Sequence, residues 1–422
     1  MLGAKIAKKT EGFTNFAPKN KITNLKEQSA KMKKLALILL LIMTGVLGMT
    51  AQDEKKPLLK EVLSRFTFHG YAMVGWEYHD QSSPNNEFNV NKFILMGDLR
   101  ITDRWHAFSM VDCYKFSLHE LWMSYRFADA LTVKIGQFKT PFTLENPIAP
   151  PELELITLTS LVTNYMICGS SPFMMPAGAG RDMGITIYGD LLNRHLSYDL
   201  AVMNGSGRNN RDNNSQKDFV GKLTVRPIPE LALSGSVIVG TGNVEVVPAE
   251  NEVGYVCEAA HQVTGIKPNG NFGRNRYSAG AELKTAPVNV RAEYMWGKDA
   301  DLKTDGGYVT AQVKNVAVKN LDVVASFDHL NAHTGITNRY SAGLQYWFFP
   351  KCRIQAGYSY SKHPGVTGEN SILLNCKWPS ESRLFCLLSL CSMAIGCHSH
   401  NLEIVALLIV LICKKSVKNL QN

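Results

Sequence analysis

Five basic residues, Lys92, Arg100, Lys134, Lys139 and Arg181, have the chemistry to handle a small anion. Ammonium and guanidinium groups that converge where a water-filled passage narrows replace the hydration shell of an anion with fixed donors. Lys139 leads this set because it lies two residues before Pro141, which stops a strand. For each cation the rival fate is to pair with an acid such as Asp98, Glu120 or Asp199, an arrangement of little energetic consequence in high dielectric. Other chemistries find no support. The chain has no Gly-x-Ser-x-Gly, His-Glu-x-x-His or Walker pattern, and Gly205-Ser-Gly207 and Gly240-Thr-Gly242 read as turn glycine. Cys391, Cys397, His398 and His400 offer zinc-type donors at a spacing that fits no usual structural zinc site. No enzyme activity, cofactor or metal is expected.

The elements that must position these cations are strands. Tyr277, Ala279, Ala281 and Leu283 alternate with Ser278, Gly280, Glu282 and Lys284; Val288, Val290, Ala292, Tyr294 and Trp296 alternate with Asn289, Arg291 and Glu293. The same period of two recurs across the body, with one face apolar and aromatic-ended and the other charged or hydroxylated. A soluble sandwich also alternates, so length, end residues and connections decide. The strands run 9–13 residues, as long as a tilted membrane-crossing strand, with Tyr, Trp and Phe where headgroups would meet them. Short connections, such as 102–104, 128–130 and 349–351, alternate with longer ones, such as 79–87, 140–180 and 241–273. The fold class this predicts is all-β: a transmembrane antiparallel barrel of sixteen strands over 66–378, with a polar lumen wide enough for water.

One stretch breaks the alternation. After Ile135-Gly-Gln-Phe-Lys-Thr-Pro-Phe-Thr-Leu-Glu145, some forty residues run to Arg181 without a strand pattern. Pro141, Pro147, Pro150 and Pro151 block ladder pairing and free the segment from the wall. Exposing so many apolar residues to water is costly, so 140–180 is expected to fold inward after the fifth strand as a constriction loop. Leu153, Leu155, Leu158 and Leu161 are spaced for a short helix against the inner wall. Alternation places Lys139 in phase with Val133 and Ile135, so it reaches the lumen only if the strand bends or bulges.

Charge and termini set the surroundings. The net charge of +9 is concentrated at the ends. Residues 1–34 contribute +7 and residues 379–422 contribute +2, which leaves residues 35–378 neutral and gives no reason to expect a nucleic-acid partner. Residues 32–51 have the basic start, short apolar core and small terminal residue of a signal peptide cleaved after Ala51. Residues 1–31 read as an over-extended start and 52–65 as a periplasmic lead. From 379 onward alternation ends in two apolar Cys- and Ser-containing runs, which read as a shifted frame. The nine cysteines form no disulfide framework.

Residues 135–145, Gly180-Arg-Asp-Met-Gly-Ile185, Tyr198–Gly207 and Val220–Pro227 together resemble the phosphate-selective porin O/P family. The resemblance covers about residues 60–376 and implies an outer-membrane porin, usually a homotrimer, whose loop after the fifth strand folds inward and whose basic side chains bind phosphate-like anions. The expected partners are small anions or other small polar solutes and outer-membrane lipid, in the bacterial outer membrane. From another class, a closed barrel serving as a surface binding or structural protein, with the 241–273 loop and Cys257 carrying that role, is the alternative. Translating the other two frames beyond residue 375 should restore a strand ending in Phe; open frames without one would exclude a frameshift.

Overall fold

Alternating sequence closes a ring of strands, each paired antiparallel with its two neighbours. The computed structural model describes residues 64–155, 159–168, 178–243 and 270–380. The strands are β1 (Phe66–His79), β2 (Asn86–Arg100), β3 (Trp105–Asp112), β4 (Ser117–Ala128), β5 (Leu131–Lys139), β6 (Arg181–Leu191), β7 (Leu196–Met203) and β8 (Asp218–Ile228). They continue as β9 (Leu231–Asn243), β10 (Asn271–Thr285), β11 (Val288–Asp299), β12 (Leu302–Val313), β13 (Leu321–Ala332), β14 (Gly335–Phe349), β15 (Cys352–Lys362) and β16 (Glu369–Ser380). Every strand pairs with the next in sequence, and β1 pairs with β16 to close the barrel. Closure leaves no open edge, the condition for a sheet to cross lipid.

Outward and inward faces separate as the alternation requires. Leu121, Ile135, Leu200, Leu233, Leu344 and Ile354 are large, apolar and exposed, whereas Ser124, Thr224, Ser236, Arg291, Gln345 and Gln355 are buried on the inner side. Exposed aromatics gather at both ends of the wall. Near the short turns, exposed Trp105 and Phe127 each meet half-buried Tyr125 edge-on; near the long connections, exposed Tyr277, Tyr294 and Trp296 stack. Two such girdles match two membrane interfaces.

Three local differences from the sequence reading have physical causes. The strand expected over 305–317 ends at Val313, because Asn315 and Ala317 take positive φ and the Asn315 N–H donates to Asp322 Oδ1, at 3.1 Å, turning the chain early. Among the described residues, Leu153–Leu155 do not take the leucine-spaced helix: Pro150–Glu152 forms a single 3₁₀ turn, and Leu161–Thr163 is helical, with the Ser160 hydroxyl capping the Thr163 N–H. The lumen is not uniformly polar, since Tyr71, Met73, Ile94 and Met110 form a buried apolar cluster backed by Met96 and Phe108. The signal peptide, most of the 241–273 loop with Cys257, and the tail beyond 380 lie outside the described residues.

The bend that Lys139 needs is at Gly136. Its φ of +133° is glycine's territory, and a Cβ there would stand 2.2 Å from Leu121 O and 2.7 Å from Trp122 Cα. Beyond it alternation fails, since Gln137 and Phe138 are both buried. Gly136→Ala should destabilise the barrel by about 1–3 kcal/mol, read as a lower denaturant midpoint, whereas Gly221→Ala, whose Cβ would meet nothing nearer than 3.4 Å, should not.

Candidate functional site

The inward segment is fastened at its neck by residues of the motif itself. Thr140 N–H donates to Gly180 O at 2.9 Å, joining entry to exit. The Asn146 side-chain amide donates to Thr140 O (2.8 Å) and Gly180 O (3.0 Å), doubling that clasp. Gly180 has φ +71°, and a Cβ there would lie 1.9 Å from Asn146 Oδ1, so only glycine leaves room for the clasp. From Phe142 to Glu145 the segment docks residue by residue: Phe142 is fully buried among Phe138, Ile167, Met203 and Ile238; Thr143 N–H donates to Ser236 Oγ; Leu144 N–H donates to both Glu293 oxygens; Glu145 accepts from Ser160 N–H and Oγ.

A segment that leaves the ladder brings carbonyls needing donors, and wall cations supply them. Lys139 Nζ donates to Asn146 O and Ile148 O, Lys222 Nζ to Thr143 O, Arg339 to Thr159 O, and Arg276 to Met166 O. Arg353 donates to Pro151 O and Leu153 O, and Lys377 to Pro151 O. Glu154 pairs with Arg291 at 2.6 Å. Because β5 stands far around the ring from β11, β15 and β16, these contacts carry the segment across the lumen to the opposite wall. Hydrogen bonds to charged groups contribute about 1.5–3 kcal/mol each.

On the short-turn side of this segment lies a cavity of about 2050 Å³, bordered by Pro141, Pro147, Pro150 and Pro151, by the turns at 128–130 and 191–194, and by inward wall residues. Its lining carries thirteen Lys and Arg residues against seven Asp and Glu residues. Lys134, Lys139 and Arg181 are among them; Lys92 and Arg100 are not. Lys92 faces inward among Asp112, Lys115, Arg181 and Arg208, and Arg100 is the exposed last residue of β2. Arg181 spends its charge on Glu120, at 3.0 Å. Lys134 Nζ is enclosed by the rings of Phe138 (4.4 Å), Tyr188 (5.1 Å) and Trp122 (5.3 Å). Among the described residues, Lys139, Lys222, Arg353 and Lys377 bond carbonyls and form no direct carboxylate pair, although acids such as Glu120, Asp199 and Asp322 stand nearby. Lys222, Arg353 and Lys377 were not singled out by sequence, although Arg353 and Lys222 sit in the polar phase of strands whose alternation is plain.

Two groups within the loop carry altered proton affinities. Burial pushes the Glu145 carboxyl above the usual glutamate range, against the pull of Arg291 and the Ser160 bonds. Burial pushes the Cys168 thiol up to about 12, with Glu145 adding to the effect. No cluster of His, Cys, Asp or Glu that could hold a metal ion occurs among the described residues.

No family model and no curated protein matches the chain. Solved structures do. The in-vitro folded, trimeric outer-membrane protein OmpT of Vibrio cholerae superposes with a TM-score of 0.53 at 11% identity, over 75% of this chain and 99% of that one. OmpF of Salmonella typhi, in complex with daunomycin, gives 0.52 at 10% identity over 75% and 97%. The outer-membrane channel DcaP of Acinetobacter baumannii gives 0.51 at 9% identity over 75% and 97%. At such identities the likeness concerns the fold: the closed sixteen-strand barrel of bacterial outer-membrane porins.

Glu145 makes loop docking pH-dependent. A carboxyl whose pKa is raised on docking favours the docked state while protonated, so docking weakens as pH rises through the raised value. Hydrogen exchange at Ser160–Thr163, corrected for intrinsic rates, should therefore accelerate from acidic to alkaline pH, and Glu145→Gln should flatten that dependence. Gly180→Ala should raise exchange in the loop at every pH by breaking the Asn146 clasp.

Proposed function

We propose that the protein is a passive channel of the bacterial outer membrane, in which the 140–180 segment narrows the lumen and the basic lining favours small anions of the phosphate type. The observation that carries this reading is the charge of the cavity wall under the loop. A chain that is neutral between residues 35 and 378 has six more cations than acids around this one space. Cations bound to carbonyls lose no charge to their partners, so the loop's fastening and the positive field come from the same side chains. An anion entering this confined region meets favourable potential along a path rather than at one deep well, which suits throughput.

The remaining parts of the reading follow the sequence. Export by the 32–51 signal peptide, with cleavage after Ala51, delivers the barrel to the outer membrane; the short turns then face the periplasm, and the cavity is a periplasmic vestibule. A homotrimer is the assembly implied by the resemblance to the phosphate-selective porin O/P family. Lys139 is the best-placed anion contact on the motif, joined by Lys222, Arg353 and Lys377 from the facing wall.

Reversal potentials in a salt gradient test the selectivity. The refolded wild-type barrel should conduct with anion preference. Lys314→Glu, a change at a lining residue with no bond to the loop, should lower the anion-to-cation permeability ratio roughly 2- to 10-fold, given about 1 kcal/mol between unit charges at ~4 Å in water. Lys139→Glu should lower it and also loosen the loop. A cation-selective wild type rejects the anion preference, and a folded barrel that never conducts rejects the channel in favour of a closed surface protein.

A further inference from the structure

The vestibule has a second chemical character that anion passage alone does not use. Phe108 stacks on Trp122 with ring centroids 5.2 Å apart and planes at 27°. Met96 and Phe108 are the lumen-side layer over the buried cluster of Tyr71, Met73, Ile94 and Met110. Tyr71, Met96, Phe108, Met110 and Trp122 all border the cavity. They come from β1 to β4, so the apolar surface is continuous across four neighbouring strands. A wall wetted by a stream of inorganic ions gains nothing from thioether and aromatic area, which water covers at a cost.

Cations edge this patch. Lys134 Nζ stands 5.3 Å from the Trp122 ring, and Arg181 Nη2, 3.8 Å from Met110 Sδ, is already paired with Glu120, so Lys134 is the cation left for a ligand. Tyr71, only 3% exposed, carries a hydroxyl that is buried without a hydrogen-bond partner. Directly across the ring, eight strands away from β3, β11 presents Arg291 to the same space. A flat apolar platform rimmed by donors, in a positive field, fits a solute with one aromatic face and one anionic end.

We propose that the vestibule binds small arylcarboxylates, with the ring lying on Met96, Phe108 and Trp122 and the carboxylate turned to Lys134, which has no carboxylate partner among the described residues. The proposal rests on the anion-channel reading for transport, but binding to the folded barrel is measurable without it. Neutral rings lack the charged anchor and short aliphatic anions lack the platform.

Calorimetric titration of the refolded full chain with benzoate, acetate and benzyl alcohol tests this, together with block of single-channel current by the same three solutes. Benzoate should bind roughly 10-fold more tightly than either of the others, and should block current at correspondingly lower concentration. A Met96→Ser/Phe108→Ser double variant should bring benzoate down to the acetate level, and Phe108→Trp should preserve the preference. Equal affinity for benzoate and acetate, benzyl alcohol binding as well as benzoate, or an unchanged preference in a folded double variant would each overturn the proposal. A barrel that binds benzoate yet never conducts would sustain the site and reject the channel reading; one that conducts without discriminating would do the reverse.

Discussion

Backbone polar groups inside a membrane barrel must find partners, and everything distinctive about this molecule follows from how one segment meets that requirement. The sixteen strands satisfy each other by closing. Residues 140–155 and 159–168 have left the ladder and depend on side chains of the wall. Their carbonyls take donors from Lys139, Lys222, Arg339, Arg353 and Lys377, and their amides are received by Ser236, Glu293 and Asp328. Removing a sole partner, such as Lys222 at Thr143 O, would leave a buried group unpaired at a cost of about 1–3 kcal/mol, so loop position and wall composition constrain each other.

The same requirement sorts charge along the lumen. Towards the long connections, cations face acids: Arg274 with Asp218, Arg276 with Asp299, Arg339 with Asp328. Below the segment, Arg181 and Arg291 pair with acids too, but Lys139, Lys222, Arg353 and Lys377 bond neutral carbonyls instead. A barrel that is neutral between residues 35 and 378 thereby has a cavity lined by more cations than acids. Between Lys377 on β16 and Lys139 on β5, the wall over β1 to β4 carries apolar and aromatic side chains, which makes the space two-sided rather than simply charged.

Much of the fold was written plainly in the sequence. Period-two alternation delivered sixteen strands with ends mostly within a few residues, because the lipid face and the lumen face impose opposite demands on neighbouring side chains. The errors fell where a local hydrogen bond outvoted alternation, as at Asn315 and Asp322, or where a helical spacing of leucines met prolines at 150 and 151. The site was less legible. Lys139 could be named from its motif, but its approach to the lumen depended on the positive φ of Gly136, which strand periodicity does not encode. Lys222, Arg353 and Lys377 belong to strands separated from the loop by tens to hundreds of residues, and nothing in their local sequence tells a loop-fastening lysine from a solvated one. Lys134 lies among three aromatic rings, a setting brought together only by the pairing of β4, β5 and β6.

The central claim is that the segment after β5 spans and narrows the lumen. Single-channel conductance of the refolded protein measures this most directly when residues 144–176 are replaced by a short Gly-Ser linker that preserves the closed barrel. If the segment crosses the passage, the shortened variant conducts several-fold more than wild type and loses much of its ion selectivity. Equal conductance and selectivity in the two folded proteins would contradict the account.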